Sequence, residues 1–109
     1  MPGLELELQL LWSPEAEADL LEIWRWGAMQ FSPDTADAHL PDIKRVAHNL
    51  TVSPFADRAR DDLHAGVRSV VVYPTVVFYR VGNRSIDIVR VVDGRRNLAA
   101  IFTSGGEPI

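Results

Sequence analysis

Residues 66–94, GVRSVVVYPTVVFYRVGNRSIDIVRVVDG, hold three β-rich segments separated by very short links. The segments cover residues 67–71, 75–81 and 85–92 and are dominated by Val, Ile, Phe and Tyr, which strands favour. Tyr73-Pro74 forms the first link and Gly82-Asn83 the second. Because links this short join only antiparallel neighbours, the stretch predicts three antiparallel strands. Gly82 at the first turn position favours a two-residue type II′ hairpin.

A fourth strand is predicted at the start of the chain. Four leucines alternate there with polar residues, at Leu4, Leu6, Leu8 and Leu10. A period of two is typical of a strand that has one apolar face.

Two helices with nearly identical starts are predicted between this strand and the β-rich half. Ser-Pro-Glu at 13–15 and Ser-Pro-Asp at 32–34 each supply an N-cap, a proline at the first helical position and an acid near the positive end of the helix dipole. The second motif ends one helix and starts the next, which predicts a tight helical hairpin. The expected apolar stripes are Leu20, Ile23, Trp24, Gly27 and Phe31, then Ala36, Leu40, Ile43, Ala47 and Leu50. Pro41 falls inside the second stripe and is expected to remove one hydrogen bond and kink the helix.

The predicted order β-α-α-β-β-β corresponds to an α+β domain, in which a helical hairpin packs on one face of an antiparallel sheet. We expect residues 1–109 to form a single domain, with an irregular segment at 53–65 and a loose tail at 103–109. A chain of this length buries enough surface to need no metal or disulfide for its core.

Composition and charge narrow the function classes. The absence of cysteine excludes disulfide scaffolds, zinc ribbons, thiol catalysis and iron–sulfur sites. Residues 1–42 hold nine acids and one arginine, a net charge of −8, whereas residues 43–109 hold ten bases and six acids, a net charge of +4. The asymmetry predicts either an acidic and a basic face with different partners or simply solvated helix faces in the front half. Glu5 and Glu7 stand where a signal peptide requires positive charge, so we expect a cytoplasmic protein.

No motif for a phosphate-binding loop, a dinucleotide site, a metal-binding helix or a nucleophile elbow is present. His39 and His48 are nine residues apart on the second helix, which places them on opposite faces where they cannot chelate one metal. We therefore expect no catalytic residue, no metal and no cofactor.

The candidate contact residues are arginines of the β-rich half and one tryptophan, namely Arg68, Arg80, Arg90, Arg95, Arg96 and Trp26. Arginine suits bidentate contacts to phosphate or carboxylate, so a sheet face lined by these residues can hold a phosphate backbone or an acidic protein. Trp26 lies off the apolar stripe of its helix and is either a partner-binding anchor or a cover for the sheet rim.

Arg90 has two interpretations. In a strictly alternating strand it shares a face with three apolar residues, Ile86, Ile88 and Val92, and emerges from an apolar row. The alternative is an arginine paired near the sheet edge with Asp61, Asp62 or Asp87.

Three segments resemble a known family. SPEAEADLLEIWRW (13–26), GVRSVVVYPTVVFYRV (66–81) and IDIVRVVDGRRN (86–97) are similar to the ParE branch of the RelE/ParE toxin superfamily. The motifs are A-x-x-D-L-x-x-I-W, G-x-R, V-F-Y-R and I-x-I-x-R-V-x-x-G-R-R, each weak alone but specific in this order. The likeness covers about residues 10–102 and has the same element order. ParE-like chains often carry His before Gly-Arg-Arg, where this chain has Asp93.

The resemblance implies the toxin component of a type II toxin–antitoxin system that inhibits DNA gyrase and is not an enzyme. It implies neutralisation by a ParD-like antitoxin whose C-terminal segment lies along the toxin's helices and sheet. That segment is expected to be acidic and partly apolar, with binding that weakens as salt rises if Arg68, Arg90 and Arg95 pair with its acids.

Two alternatives remain, a RelE-like ribosome-dependent mRNA endonuclease and an inactive toxin-fold binding module. Arg68 and Arg90 match sheet arginines of both superfamily branches. The endonuclease branch places an acid–base residue near the C-terminus, and no Tyr or His follows Tyr79 in this chain. Direct binding to nucleic acid is therefore not expected.

Overall fold

A computed structural model describes residues 8–55 and 57–95 and shows two helices packed on one face of a five-stranded sheet. In chain order the elements are β1 (Gln9–Trp12), α1 (Pro14–Gln30), α2 (Pro33–Asn49), β2 (Arg58–Ala59), β3 (Arg68–Val72), β4 (Thr75–Val81) and β5 (Ser85–Asp93). The strand order across the sheet is β1-β5-β4-β3-β2. The predicted α+β architecture is confirmed, and the two-residue β2 lies within the segment predicted to be irregular.

β1 makes the sheet mixed rather than antiparallel throughout. The β2–β3, β3–β4 and β4–β5 pairs are antiparallel, whereas β1 runs parallel to β5, with Leu10 opposite Ile86. Parallel neighbours need a long crossover, which the helical hairpin and the next three strands supply here. Leu8, Leu10 and Trp12 pack against the core in the phase that the leucine alternation predicts. Leu4 and Leu6 lie outside the described residues.

Both helices begin where their capping motifs predict. The Ser13 hydroxyl accepts a hydrogen bond from the Ala16 N–H at 2.9 Å, and the Ser32 hydroxyl accepts one from the Thr35 N–H at 3.1 Å. α2 continues through Pro41 to Asn49. Among residues 8–55 and 57–95, neither helix is long and apolar enough to cross a bilayer.

The apolar stripe of α2 is confirmed, and that of α1 only in part. Leu40 of the α2 stripe packs against the core. The other four residues of the stripe are buried, namely Ala36, Ile43, Ala47 and Leu50. In α1, Leu20 and Ile23 join the core, but Phe31 is 67% exposed because it follows the last helical residue, where helical spacing no longer applies. Trp24 is only half-buried, and its indole N–H donates to the Asp37 carboxylate at 2.7 Å.

A β-bulge in β5 changes which residues share a face. Phe78 lies opposite Arg90 while Tyr79 lies opposite Ile88, so β5 carries one extra residue, Val89. Beyond the bulge Val91 joins the core beneath the helices. Val92 packs on the other face of the sheet, in a second apolar cluster with Val67, Val76, Phe78 and Val89. The prediction of strict alternation from Ile86 to Val92 is therefore wrong after Ile88.

The β4–β5 link is not a type II′ turn. Val81 lies opposite Ile86, so four residues form the loop, and the Gly82 N–H donates to the Ser85 carbonyl at 2.7 Å. Within the described ranges only Gly66 has a positive φ, at 81°. A type II′ turn requires positive φ at its first central residue, and Gly82 does not have it.

Candidate functional site

A groove of about 590 Å³ opens where the helical hairpin meets the β3–β4 turn and the end of β5. Residues from four separate segments form it, and the helical segments lie far from the strand segments in the chain. The lining residues that matter below are Asp19, Glu22, Trp26, Phe31, His39, Tyr73, Asp93 and Arg95.

Three aromatic side chains around the groove are exposed. Trp26 is 43% exposed, Phe31 is 67% exposed and Tyr73 is 87% exposed. The Trp26 and Phe31 rings meet edge to face, with their centroids 5.8 Å apart. Large rings held at the rim of a concave surface are typical anchors for a protein partner. Trp26 therefore lies partly exposed at the rim of the groove, and its role as a partner-binding anchor stays a prediction.

Arg95 lies over Trp26 and is held there by Asp93. Its guanidinium carbon is 5.5 Å from the Trp26 ring centroid, within the range of a cation–π contact. Two guanidinium nitrogens donate to the two Asp93 oxygens at 3.0 and 2.6 Å, and the Arg95 backbone N–H donates to the same carboxylate at 2.8 Å. The hydrogen bond to Asp93 raises the pKa of Arg95. The basic end of the groove is thus neutralised within the chain.

Arg90 pairs with Asp19 of α1, a partner that differs from the three acids considered from the sequence. The Arg90 Nε and Nη2 donate to the two Asp19 oxygens at 2.7 and 2.9 Å, and the Val91 N–H donates to Asp19 at 2.9 Å. The two charged side chains are only 19% and 14% exposed. The Asp19 hydrogen bonds raise the pKa of Arg90. This pair joins α1 to β5 at the bulge, and Ser13 adds a hydrogen bond to the Val89 carbonyl at 2.8 Å.

The acids expected for Arg90 have other contacts. Asp61 accepts from the Gly66 N–H at 2.8 Å, Asp62 pairs with Arg60 at 3.0 Å, and Asp87 accepts from the Ser85 hydroxyl at 2.8 Å. The Arg60 hydrogen bond lowers the pKa of Asp62.

Arg68 and Arg80 lie away from the groove and on opposite faces of the sheet. Arg68 is paired with Tyr79 and shares its face, whereas Arg80 follows Tyr79 in β4 and therefore faces the other side. Arg68 donates to the carbonyls of Phe55 and Asp57 and lies 5.4 Å from the Phe55 ring centroid. Arg80 donates to the Ala65 carbonyl at 3.2 Å. The expected single arginine-lined sheet face is therefore not formed by these two residues. Arg96 lies outside the described residues.

His39 contacts the sheet inside the groove, a contact that the sequence analysis did not predict. The Thr75 hydroxyl donates to the Val72 carbonyl at 2.7 Å, so its oxygen is available to accept from the His39 Nε2, 3.4 Å away. Sequence spacing had no signal for this contact, because the partners are 36 residues apart. Within residues 8–55 and 57–95, no three His, Asp or Glu side chains are grouped so as to hold a metal ion.

The Tyr79 hydroxyl makes a partly buried contact near Arg68 that can be tested by titration. Its hydroxyl donates to the Pro54 carbonyl at 2.9 Å, and burial raises its pKa above the ordinary value of 10.0, with Arg68 offsetting part of this effect. The chain has two tyrosines, so Tyr73→Phe isolates Tyr79. In that variant the tyrosinate absorbance at 295 nm should rise only at a pH above that of free tyrosine.

Stability should fall over the same alkaline range. The unfolded chain releases the Tyr79 proton at a lower pH than the folded chain does, so rising pH above about 10 favours unfolding. Tyr79→Phe should remove this part of the loss of stability at alkaline pH. If the free energy of unfolding depended on pH in the same way in Tyr79→Phe and wild type, the raised pKa of Tyr79 would be contradicted.

Comparison with known proteins agrees with this fold. Residues 10–98 match the family model described as the ParE toxin of the type II toxin–antitoxin system parDE. Toxin ParE1 of Mycobacterium tuberculosis is 34% identical over 94 residues, covering 81% of this chain and 91% of that protein. Toxin ParE3 of Caulobacter vibrioides is 43% identical over 65 residues, which span 60% of this chain and 65% of that protein.

Two solved structures have the same fold. A chain from the chromosomal ParDE system of P. aeruginosa superposes with a TM-score of 0.71 at 25% identity, covering 80% of this chain and 96% of that one. A chain from the RelBE2 toxin–antitoxin complex of Mycobacterium tuberculosis gives a TM-score of 0.57 at 19% identity, covering 81% and 92%. The resemblance read from the three sequence segments is thereby confirmed, and the chain belongs to the ParE family of toxins of type II toxin–antitoxin systems.

Proposed function

We propose that this ParE-type toxin inhibits DNA gyrase in the cytoplasm and is neutralised by a ParD-like antitoxin that docks in the groove beside Trp26. The family membership supports the toxin role, and gyrase is the target that the ParE resemblance implies. The P. aeruginosa relative comes from a ParDE system, which supports a ParD-like partner. The observation that carries the docking site is the open aromatic groove itself.

The groove favours an apolar antitoxin segment. Its exposed rings offer apolar area, and burying such area is the main favourable term in protein association. Two of its carboxylates, those of Asp19 and Glu22, are paired with Arg90 and Arg25. An apolar strand or helix face can enter without leaving either of these charges unpaired.

Trp26 and Arg95 are the candidate contact residues that the groove brings together. Arg68, Arg80 and Arg90 make contacts within the chain, so their proposed role is to hold the segments that frame the sheet and the groove. A direct contact of these three residues with the target or the antitoxin would require those internal contacts to open.

The target assignment is tested by DNA supercoiling with purified gyrase and purified, folded toxin. Inhibition with accumulation of cleaved DNA is expected, and prior addition of the antitoxin should restore supercoiling. Unimpaired supercoiling at a large molar excess of toxin would exclude gyrase as the target.

A parallel expression experiment separates the other two functions. Primer extension on mRNA after induction should show intact transcripts in growth-arrested cells. Site-specific cuts would indicate a ribosome-dependent endonuclease instead. Growth unchanged by expression without the antitoxin would indicate an inactive binding module.

A further inference from the structure

We propose that Asp93 determines the specificity of the groove by neutralising Arg95, so that the groove selects a partner segment with uncharged side chains at this end and discriminates against acidic ones. The inference rests on the proposed function in taking the groove as the partner site. It adds the chemistry of the segment that the groove accepts.

The position of Asp93 is fixed by the sheet. Asp93 ends β5 opposite Thr75, and the following Gly94 N–H donates to the Pro74 carbonyl at 2.9 Å. The carboxylate is therefore presented from a rigid strand end rather than from a free loop. Arg95, two residues later, folds back so that its side chain and its backbone N–H both donate to that carboxylate.

Arg95 is at the same time directed into the groove mouth. Its side chain is 70% exposed and stacks on Trp26, a partly exposed aromatic at the rim of the proposed docking surface. A partner residue that contacts Trp26 must therefore lie close to both members of the Asp93–Arg95 pair. An incoming carboxylate meets Arg95 attraction and Asp93 repulsion together, and the two largely cancel. With no net attraction, nothing offsets the cost of removing the carboxylate from water, whereas an uncharged side chain has no such desolvation cost.

Glu22 supplies a matched control. It also lines the groove and also pairs with an arginine, but that arginine is Arg25, one turn along α1. Removal of the Glu22 charge thus changes the groove rim without releasing Arg95. Asp93→Asn keeps the size of the side chain and an oxygen that can accept from Arg95, while removing the negative charge.

The test selects peptides from one random library of 12-residue sequences on immobilised wild-type, Asp93→Asn and Glu22→Gln toxin. Only peptides whose binding is lost on Trp26→Ala toxin are kept as groove binders. The wild-type and Glu22→Gln pools should be poor in Asp and Glu. The Asp93→Asn pool should be enriched in them at least threefold over wild type.

Salt dependence gives a second readout. Peptides selected on Asp93→Asn should lose at least about threefold in affinity between 50 and 500 mM NaCl, because their carboxylates contact an exposed Arg95. Wild-type peptides should bind equally at both concentrations. Equal acid content in the wild-type and Asp93→Asn pools would overturn the inference alone. A selection that yields no Trp26-dependent peptide would overturn it together with the proposed docking site.

The selection needs neither gyrase nor antitoxin. A toxin that leaves supercoiling unimpaired can still show the Asp93 effect, and a toxin that inhibits gyrase can fail to show it. Failure of the inference is thus distinguishable from failure of the proposed function.

Discussion

Asp19→Ala should lower the free energy of unfolding by about 3 kcal/mol, the largest stability effect expected of any charged residue in α1. The substitution leaves the guanidinium of Arg90 in a mostly buried position without its carboxylate. It also removes the acceptor of the Val91 N–H. For a domain of this size, thermal denaturation should show a melting temperature about 10–15 °C lower.

Glu22→Ala is the control on the same helix. Glu22 also pairs with an arginine, but the side chains of that pair are 71% and 60% exposed, so the loss should be about 0.5 kcal/mol or less. A cycle of Asp19→Ala, Arg90→Ala and the double variant should give a coupling energy of about 2 kcal/mol. Equal losses for Asp19→Ala and Glu22→Ala would show that the pair at the bulge does not hold α1 to β5.

The parts of the fold that the sequence predicts well are those set by neighbouring residues. Ser13 and Ser32 cap their helices because an N-cap acts within three residues, and the α2 stripe from Ala36 to Leu50 follows from helical geometry alone. The helix-to-helix link and the places where the short strand connections fall are equally local, although the turn type at Gly82 was predicted wrongly. These features depend on no distant partner.

Pairings between residues that are far apart in the chain could not be predicted from the sequence. β1 and β5 are parallel neighbours separated by more than 70 residues, and no local signal fixes that choice. The bulge at Val89 arises from the register between β4 and β5, and it moves Val91 into the core, where alternation had placed Val92 on the face of Ile88. Asp19 becomes the partner of Arg90 only once α1 lies over this bulge.

The groove also depends mostly on contacts between residues that are far apart in the chain. Trp26 could be identified as lying off the α1 stripe, because that is a property of one helix. Phe31, His39 and Tyr73 come together only after the hairpin packs beside the β3–β4 turn. The Asp93–Arg95 pair is local in sequence, yet its contact with Trp26 brings together residues nearly 70 positions apart.

Trp26→Ala should weaken antitoxin binding by about 100-fold, the largest binding effect expected of a single substitution. The change removes the Trp26 ring from the groove rim together with its contacts to Phe31 and Arg95. Truncating a central aromatic anchor typically costs about 2–4 kcal/mol of binding free energy, which corresponds to roughly 30- to 1,000-fold. Calorimetry with the proposed ParD-like antitoxin measures this loss directly.

Met29→Ala provides the comparison, because Met29 is 81% exposed on the same helix and does not line the groove. The affinity of Met29→Ala toxin for the antitoxin should stay within about twofold of wild type, and circular dichroism should show both variants folded.

Binding of the wild-type toxin to the antitoxin should change little between 50 and 500 mM NaCl, because Asp93 already occupies Arg95 and because Arg68 and Arg90 make internal contacts. The sequence had favoured the opposite dependence, with these arginines pairing to antitoxin acids. Steep weakening by salt, together with similar losses for Trp26→Ala and Met29→Ala, would mean that charge outside the groove dominates the interface.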